Sequence, residues 1–295
     1  MHNEGANYTD LWPKARGKQA NAILISYRNR EQHLQQFIPY MHMFLQKTHP
    51  DLTYQIFVIE QSNEWKFNRA MLFNIGIKYV QEKYPGKFGC FTFTDVDSIP
   101  ETGQCSYYCP RGDLNEPDII QWRTYPAVHI ARRRAKWDYK EPNFPFFGGI
   151  SIMNADQLKR INGNPNRFYG WGGEDSALKS RIDHYKIPIE RAHYGCTILT
   201  EGHFRDTGNE TPAVSHQKDL KLEKEGDESV LKDGLNSLKY NVSHTYESVD
   251  EYSSFTKVRT RFLKCMIPEK FQKAGEAFGQ NPCSDAIYSG LEDEE

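Results

Sequence analysis

The sequence predicts an α/β protein with a mostly parallel, Rossmann-like central sheet, and three observations carry that expectation. A short apolar strand is followed by a turn and an amphipathic helix. The same succession then repeats, and a third apolar strand stops at two aspartates. In the first unit Ala22-Ile23-Leu24-Ile25 breaks at Ser26-Tyr27-Arg28-Asn29-Arg30, after which Leu34, Phe37, Ile38, Met41 and Leu45 recur at helical spacing. In the second, Tyr54–Ile59 reads as a strand, and Phe67-Asn68-Arg69 opens a helix through Leu72, Ile75, Tyr79 and Val80. Phe88–Thr94 is the third strand and runs into Asp95-Val96-Asp97.

Open α/β sheets bind ligands at the carboxyl ends of their strands, which is where that aspartate pair falls. Two carboxylates two residues apart can share a hard divalent cation and the phosphates it carries, or they can be ordinary acids on a solvated turn. Arg28 and Arg30 sit at the same edge of the first strand. They read either as nucleotide contacts or as surface arginines.

Residues 101–145 lose periodicity and read as an irregular excursion, ended by Phe147-Gly148-Gly149 and a short strand through Ile152. A helix over Ala155–Ile161 leads to Asn166-Arg167-Phe168-Tyr169-Gly170-Trp171-Gly172-Gly173-Glu174-Asp175-Ser176. Glycines, aromatic rings and adjacent acids in so short a run suit a surface that stacks on sugar rings and takes protons from hydroxyls, not a core. A helix over Ala177–His184, a strand near Ile187–Ala192, a polar loop through residues 204–230 and an edge strand at Tyr240–His244 complete the pattern. Residues 1–20 read as an arm, 21–265 as one catalytic domain and 266–295 as a polar, acidic tail.

Composition narrows the function. A formal charge of -2 over 295 residues leaves no basic footprint for nucleic acid, and the Arg132-Arg133-Arg134 run reads as a solvated face. No apolar window is long enough to span a membrane, and no signal peptide or anchor is visible. Six cysteines without a CxxC pair argue against a zinc ribbon. Asn7, Asn209 and Asn241 each open an N-x-S/T triplet, compatible with a secretory lumen.

Several stretches in this order resemble the β-1,4-galactosyltransferases, inverting Golgi enzymes of glycosyltransferase family 7 with a GT-A fold. They are Tyr27-Arg28-Asn29-Arg30 with His33-Leu34, Phe67-Asn68-Arg69-Ala70, Asp95-Val96-Asp97 with Ile99-Pro100, Phe147-Gly148-Gly149, Gly170-Trp171-Gly172-Gly173-Glu174-Asp175, His203 with Arg205-Asp206, and Asp233–Leu238. The resemblance implies transfer of galactose from UDP-galactose to the 4-hydroxyl of a terminal N-acetylglucosamine. Arg28, Arg30, Phe67, Arg69, Asp95, Val96 and Lys136 would hold the donor nucleotide. Asp97 and His203 would ligate Mn²⁺, with Mg²⁺ as the alternative. Asp175 would be the general base, Glu174 and Trp171 would orient the substrates, and Phe146, Gly149, Phe168 and Gly173 would line the sugar side. Residues 199–227 would form a closing lid, and Cys90 and Cys109 would be bridged.

Four positions depart from the family pattern. Thr200 stands where the family has a Met metal ligand and offers a hard hydroxyl instead. Phe146 replaces a Tyr that gates galactose against N-acetylgalactosamine, Ser176 replaces a further acid, and Phe168 replaces an acceptor-stacking Tyr. Alternatives within the resemblance are N-acetylgalactosaminyl transfer, a xylose acceptor, or a catalytically silent sugar-binding relative.

Overall fold

The computed structural model describes residues 20–110, 125–141, 147–170, 172–200, 232–248 and 254–262. The first strand, β1 (Ala20–Tyr27), is buried along its whole length. Its side chains alternate between two cores: Ala22 and Leu24 point into one, Ile23 and Ile25 into the other. That is why the strand reads as a continuous apolar run, as expected of a strand with helices on both faces.

Helix α1 (Glu31–Thr48) covers the Ile23/Ile25 face with Leu34, Phe37, Ile38, Met41 and Leu45. Strand β2 (Tyr54–Gln61) follows, and helix α2 (Arg69–Lys83) covers the other face with Met71, Leu72, Phe73 and Ile75. A Cβ on Gly76 of α2 would meet Leu24 at 2.9 Å and Ile59 at 3.0 Å, so glycine there lets helix and sheet pack closely. Asn68 caps α2, its side chain accepting from the Met71 backbone N–H at 2.9 Å.

Strand β3 (Phe88–Asp95) completes the predicted nucleus, and β1 pairs in parallel with both β2 and β3. Beyond it come β4 (Ser98–Pro100), β5 (Ala127–His129), β6 (Ser151–Asn154), α3 (Ala155–Arg160), α4 (Glu174–His184), β7 (Ile189–Arg191), β8 (Ile198–Thr200), β9 (Tyr240–Ser248) and β10 (Phe255–Phe262). The main sheet runs β7-β5-β6-β3-β1-β2-β10-β9, and β4 and β8 form a separate antiparallel pair. The parallel nucleus is thus flanked by antiparallel contacts at β3–β6, β5–β6 and β9–β10. No helix among the described residues is long and apolar enough to cross a membrane.

Three local expectations change. The excursion at 101–145 contains β5 and a 3-10 turn over Ala135–Trp137, elements too short to show a period. Helix α4 starts at Glu174, three residues before the expected Ala177, because Gly173 at φ 93° caps it and the two acids fill its first turn. Strand β10, missed in the sequence, lies between β2 and β9, so β9 is indeed the edge strand and is longer than expected.

Two disulfides fasten the loop after β4. Cys90 of β3 joins Cys109, and Cys105 joins Cys196 just before β8. The second pairing was not foreseen, since nothing local links cysteines 91 residues apart. The arm, the tail and most of the proposed lid fall outside the described residues.

Candidate active site

The site is assembled where the carboxyl end of β3 meets the first turn of α4. Gly170, Gly172 and Gly173 all have φ between 92° and 98°. That backbone is costly for any residue with a Cβ, so the glycine-rich run is what allows the chain to turn sharply into α4. Glu174 and Asp175 then sit at the helix N-terminus, where unpaired backbone N–H groups and the helix dipole favour negative charge.

Arg69, the first residue of α2, holds the two halves together. Its Nε donates to Asp95 Oδ1, one terminal nitrogen donates to Asp175 Oδ1 at 2.8 Å, and the other donates to the Gly149 carbonyl at 3.2 Å. Glu174 lies 3.9 Å from the same guanidinium. Arg69, expected to contact the donor, therefore first bridges the β3 aspartate to the α4 aspartate. Asp175 lies directly against Gly148, where an added Cβ would fall 1.7 Å from its Oδ2.

The two adjacent acids are not equivalent. Burial, with the Asp175 charge beside it, lifts the Glu174 carboxyl to about 8, against the pull of Arg69. Glu174 thus keeps its proton near neutrality and can donate a hydrogen bond. Asp175 is the one in charge-assisted contact with a guanidinium.

Asp97 is raised above the usual carboxylate range, first by burial and then by Asp95, while Arg134 opposes the shift. Ser98 donates to Asp97 Oδ1 at 3.2 Å, and Arg134 donates to Ser98 Oγ at 3.0 Å. A buried guanidinium is thus relayed onto the proposed metal carboxylate. The expectation of a solvated Arg132–Arg134 face is corrected at this position: Arg134 is 4% exposed and stacks on Trp137 at 5.5 Å. Its only sequence signal was proximity to Lys136, which is exposed and within electrostatic range of Asp95, Asp97 and Asp175.

Thr200 is brought opposite Ser98 by the β4–β8 register, one residue from Asp97. Its buried hydroxyl has no hydrogen-bond partner among the described residues. A buried hydroxyl left without a partner, one strand position along from the Asp97 carboxylate, adds a second hard oxygen to this strand pair, the donor type that a divalent cation such as Mn²⁺ or Mg²⁺ takes. Among the described residues no three His, Cys, Asp or Glu side chains converge on a metal position. His203, Phe146 and Trp171 lie outside the described residues.

On the nucleotide side, Arg28 donates to the Trp65 carbonyl and lies 5.4 Å over the Phe67 ring. Arg30 caps α1. Val96 turns its side chain into the core. Gly149 is buried, with φ 77°, beside Arg134. Gly173 is buried at the head of α4. Phe168 is 4% exposed, so it forms wall and not an open stacking face.

Residues 3–110 match the N-terminal region of glycosyl transferase group 7, and residues 128–204 match the N-terminal domain of galactosyltransferase. The chain is 34% identical over 245 residues to beta-1,4-galactosyltransferase 1 of Bos taurus, covering 80% of this chain and 53% of that one. It is 32% identical over 242 residues to beta-1,4-galactosyltransferase 4 of Cricetulus griseus, covering 82% and 63%. The chain therefore spans between about half and two thirds of the length of these curated relatives. Among solved structures, a mutant of Drosophila beta-1,4-galactosyltransferase 7 in complex with manganese, UDP-Gal and xylobiose superposes with a TM-score of 0.64 at 25% identity, covering 83% of this chain and 94% of that one. The fold is GT-A.

Proposed function

From the premise that the chain belongs to the glycosyl transferase group 7 family, we propose that it is a metal-dependent, inverting β-1,4-galactosyltransferase. It moves galactose from UDP-galactose to the 4-hydroxyl of a terminal N-acetylglucosamine. The observation that carries the reading is Arg69 bridging Asp95 to Asp175, which joins a nucleotide-side strand end to an acid-bearing helix start.

Arg28, Phe67 and Arg69 bind the uridine and diphosphate, with Arg30, Asp95, the Val96 backbone and Lys136 along the same wall. Asp97 and His203, with Thr200 as a further oxygen, would hold the divalent cation, which would offset negative charge on the UDP leaving group. Glu174, protonated near neutrality, donates a hydrogen bond that orients the acceptor. Asp175 takes the proton of the attacking hydroxyl. Attack from the face opposite UDP converts an α-linked donor into a β-linked product. Phe168, Gly149 and Gly173 border the sugar side, and by the family resemblance Phe146, Trp171 and a lid over 199–227 would complete it.

A xylose-terminated acceptor is the second reading, supported by the xylobiose in the Drosophila complex. The two disulfides favour an oxidising compartment, and we place the enzyme in the secretory lumen. The test is a matrix of UDP-galactose and UDP-N-acetylgalactosamine against N-acetylglucosamine and xylose acceptors, with and without Mn²⁺, reading UDP release and product linkage. Galactose transfer that needs the cation is expected. No transfer from any UDP-sugar rejects the proposal.

A further inference from the structure

We infer that His129 is a positioning residue for the transfer reaction: its ring pins the Gly148-Gly149 turn on which Asp175 rests. This rests on the reading of Asp175 as the base. His129 is fully buried in β5, with Ser151 of β6 on one side and Arg191 of β7 on the other. Its Nδ1 lies 2.7 Å from an Arg191 guanidinium nitrogen, and its Nε2 lies 3.0 Å from the Gly148 carbonyl oxygen.

These two contacts fix the tautomer without reference to any hydrogen position. Guanidinium only donates, so Nδ1 must be the unprotonated, accepting nitrogen. A carbonyl only accepts, so Nε2 must carry the proton and donate to Gly148. A doubly protonated ring would set an N–H against Arg191. Burial and the neighbouring Arg191, Arg134 and Arg132 charges hold the ring neutral in the same sense.

The turn needs a pin because both of its residues are glycines, whose peptides rotate with little steric penalty. Glycine is required at 148 because the Asp175 carboxylate occupies the place of a Cβ. The freedom that makes room for the carboxylate also lets the surface beneath it move. His129 fixes the Gly148 carbonyl from below, and Arg69 holds the next carbonyl, that of Gly149, at 3.2 Å. Arg69 simultaneously holds Asp175, so rotation of the turn disturbs the carboxylate through both its floor and its ion pair. Arg191 to His129 to Gly148 to Asp175 is a continuous set of contacts from the sheet edge to the proposed base.

The experiment compares wild type, His129→Phe and His129→Gln in UDP release with UDP-galactose and an N-acetylglucosamine acceptor, alongside calorimetric UDP binding. His129→Phe fills the volume and removes the donor; His129→Gln keeps an N–H near the Nε2 position. Displacement of the base predicts a fall in kcat of about 10- to 100-fold for His129→Phe, UDP affinity within about threefold, and most of the loss recovered in His129→Gln. A purely structural role instead lowers kcat and UDP binding together with the folded fraction, which overturns the inference. An active wild type matched by an equally active His129→Phe overturns it while leaving the transferase reading intact. A wild type without transfer rejects that reading and this one with it. If the phenylalanine variant does not fold, ring ¹⁵N shifts of wild-type His129 decide: a protonated Nε2 with a bare Nδ1 supports the inference, and the opposite tautomer overturns it.

Discussion

Helix α4 carries a buried ionic cluster at each end, and the two are built to opposite specifications. Near its carboxyl end Arg181, 3% exposed, donates to the carbonyls of Gly163 at 3.0 Å, Asn162 at 3.3 Å and Asp233 at 2.6 Å. Asp233 accepts the Asn166 N–H on both carboxylate oxygens at 3.1 Å. Asn166 in turn meets Asn74 and the Gly234 carbonyl. Two guanidiniums, Arg181 and Arg167, face the one Asp233 carboxylate at 3.7 Å each, and neutral amides complete the set. At the amino end Asp95, Asp97, Glu174 and Asp175 crowd around Arg69 and Arg134, and the crowding is relieved by a proton kept on Glu174. Arg134 Nε and Thr200 Oγ1 remain without partners among the described residues. The first cluster ties its charges into backbone carbonyls and amides and serves as a clasp. The second leaves acceptors, a proton and an orphaned hydroxyl for something else to use, which is the signature of a site that binds and reacts.

The comparison breaks most sharply at Asp175. Asp175→Asn is expected to reduce turnover by about a thousandfold while sparing UDP binding, measured by UDP release and calorimetry. Unchanged turnover removes Asp175 from the mechanism. At the other end Arg181→Met leaves the buried Asp233 carboxylate with only the more exposed Arg167 as its cation, and a stability loss of about 3 kcal/mol in denaturant titration is expected, with kcat per folded molecule unchanged. A catalytic defect without destabilisation would reverse the assignment of the two clusters.

Glu174 allows a finer test through pH. Its folded carboxyl is raised, so between about 4.5 and 8 the native state holds a proton that the unfolded chain has lost. Stability attributable to this group is therefore greatest at acid pH and declines as pH rises through 8. Glu174→Gln should remove that decline, giving a higher melting temperature than wild type above pH 8 and little difference near pH 4.5. Equal pH slopes for the two proteins would show that Glu174 is ionised throughout. The smallest effect is expected at Thr200: Thr200→Val, which keeps the volume and deletes the hydroxyl, should weaken Mn²⁺ binding by about tenfold in an EPR titration. Unaltered affinity would exclude the hydroxyl from the cation site.

Much of this was legible in the chain. The three strands and two helices of the nucleus showed because apolar side chains recur at periods that neighbouring residues alone reveal. Gly172-Gly173-Glu174-Asp175 stood out because a core has no use for that mixture. What escaped were short or remote features. Strand β5 has three residues and no period. Arg134 looked solvated because its burial comes from Ser98 and Gly149, not from its sequence neighbours. His129 gave no local sign, since its meaning lies in Arg191 and Gly148.

The amino-acid sequence by itself determined the α/β nucleus, the aspartate pair at a strand end and the acidic helix start, because periodicity, glycine backbone freedom and helix capping act over a few residues. Only the tertiary structure decided that Arg69 clamps Asp175 across 106 positions, that Cys105 bonds Cys196 and that Arg134 sits behind Asp97. Such partners are chosen by which strand edges and helix ends the sheet brings together, and pairing strengths that depend on burial exist only once the fold has excluded water.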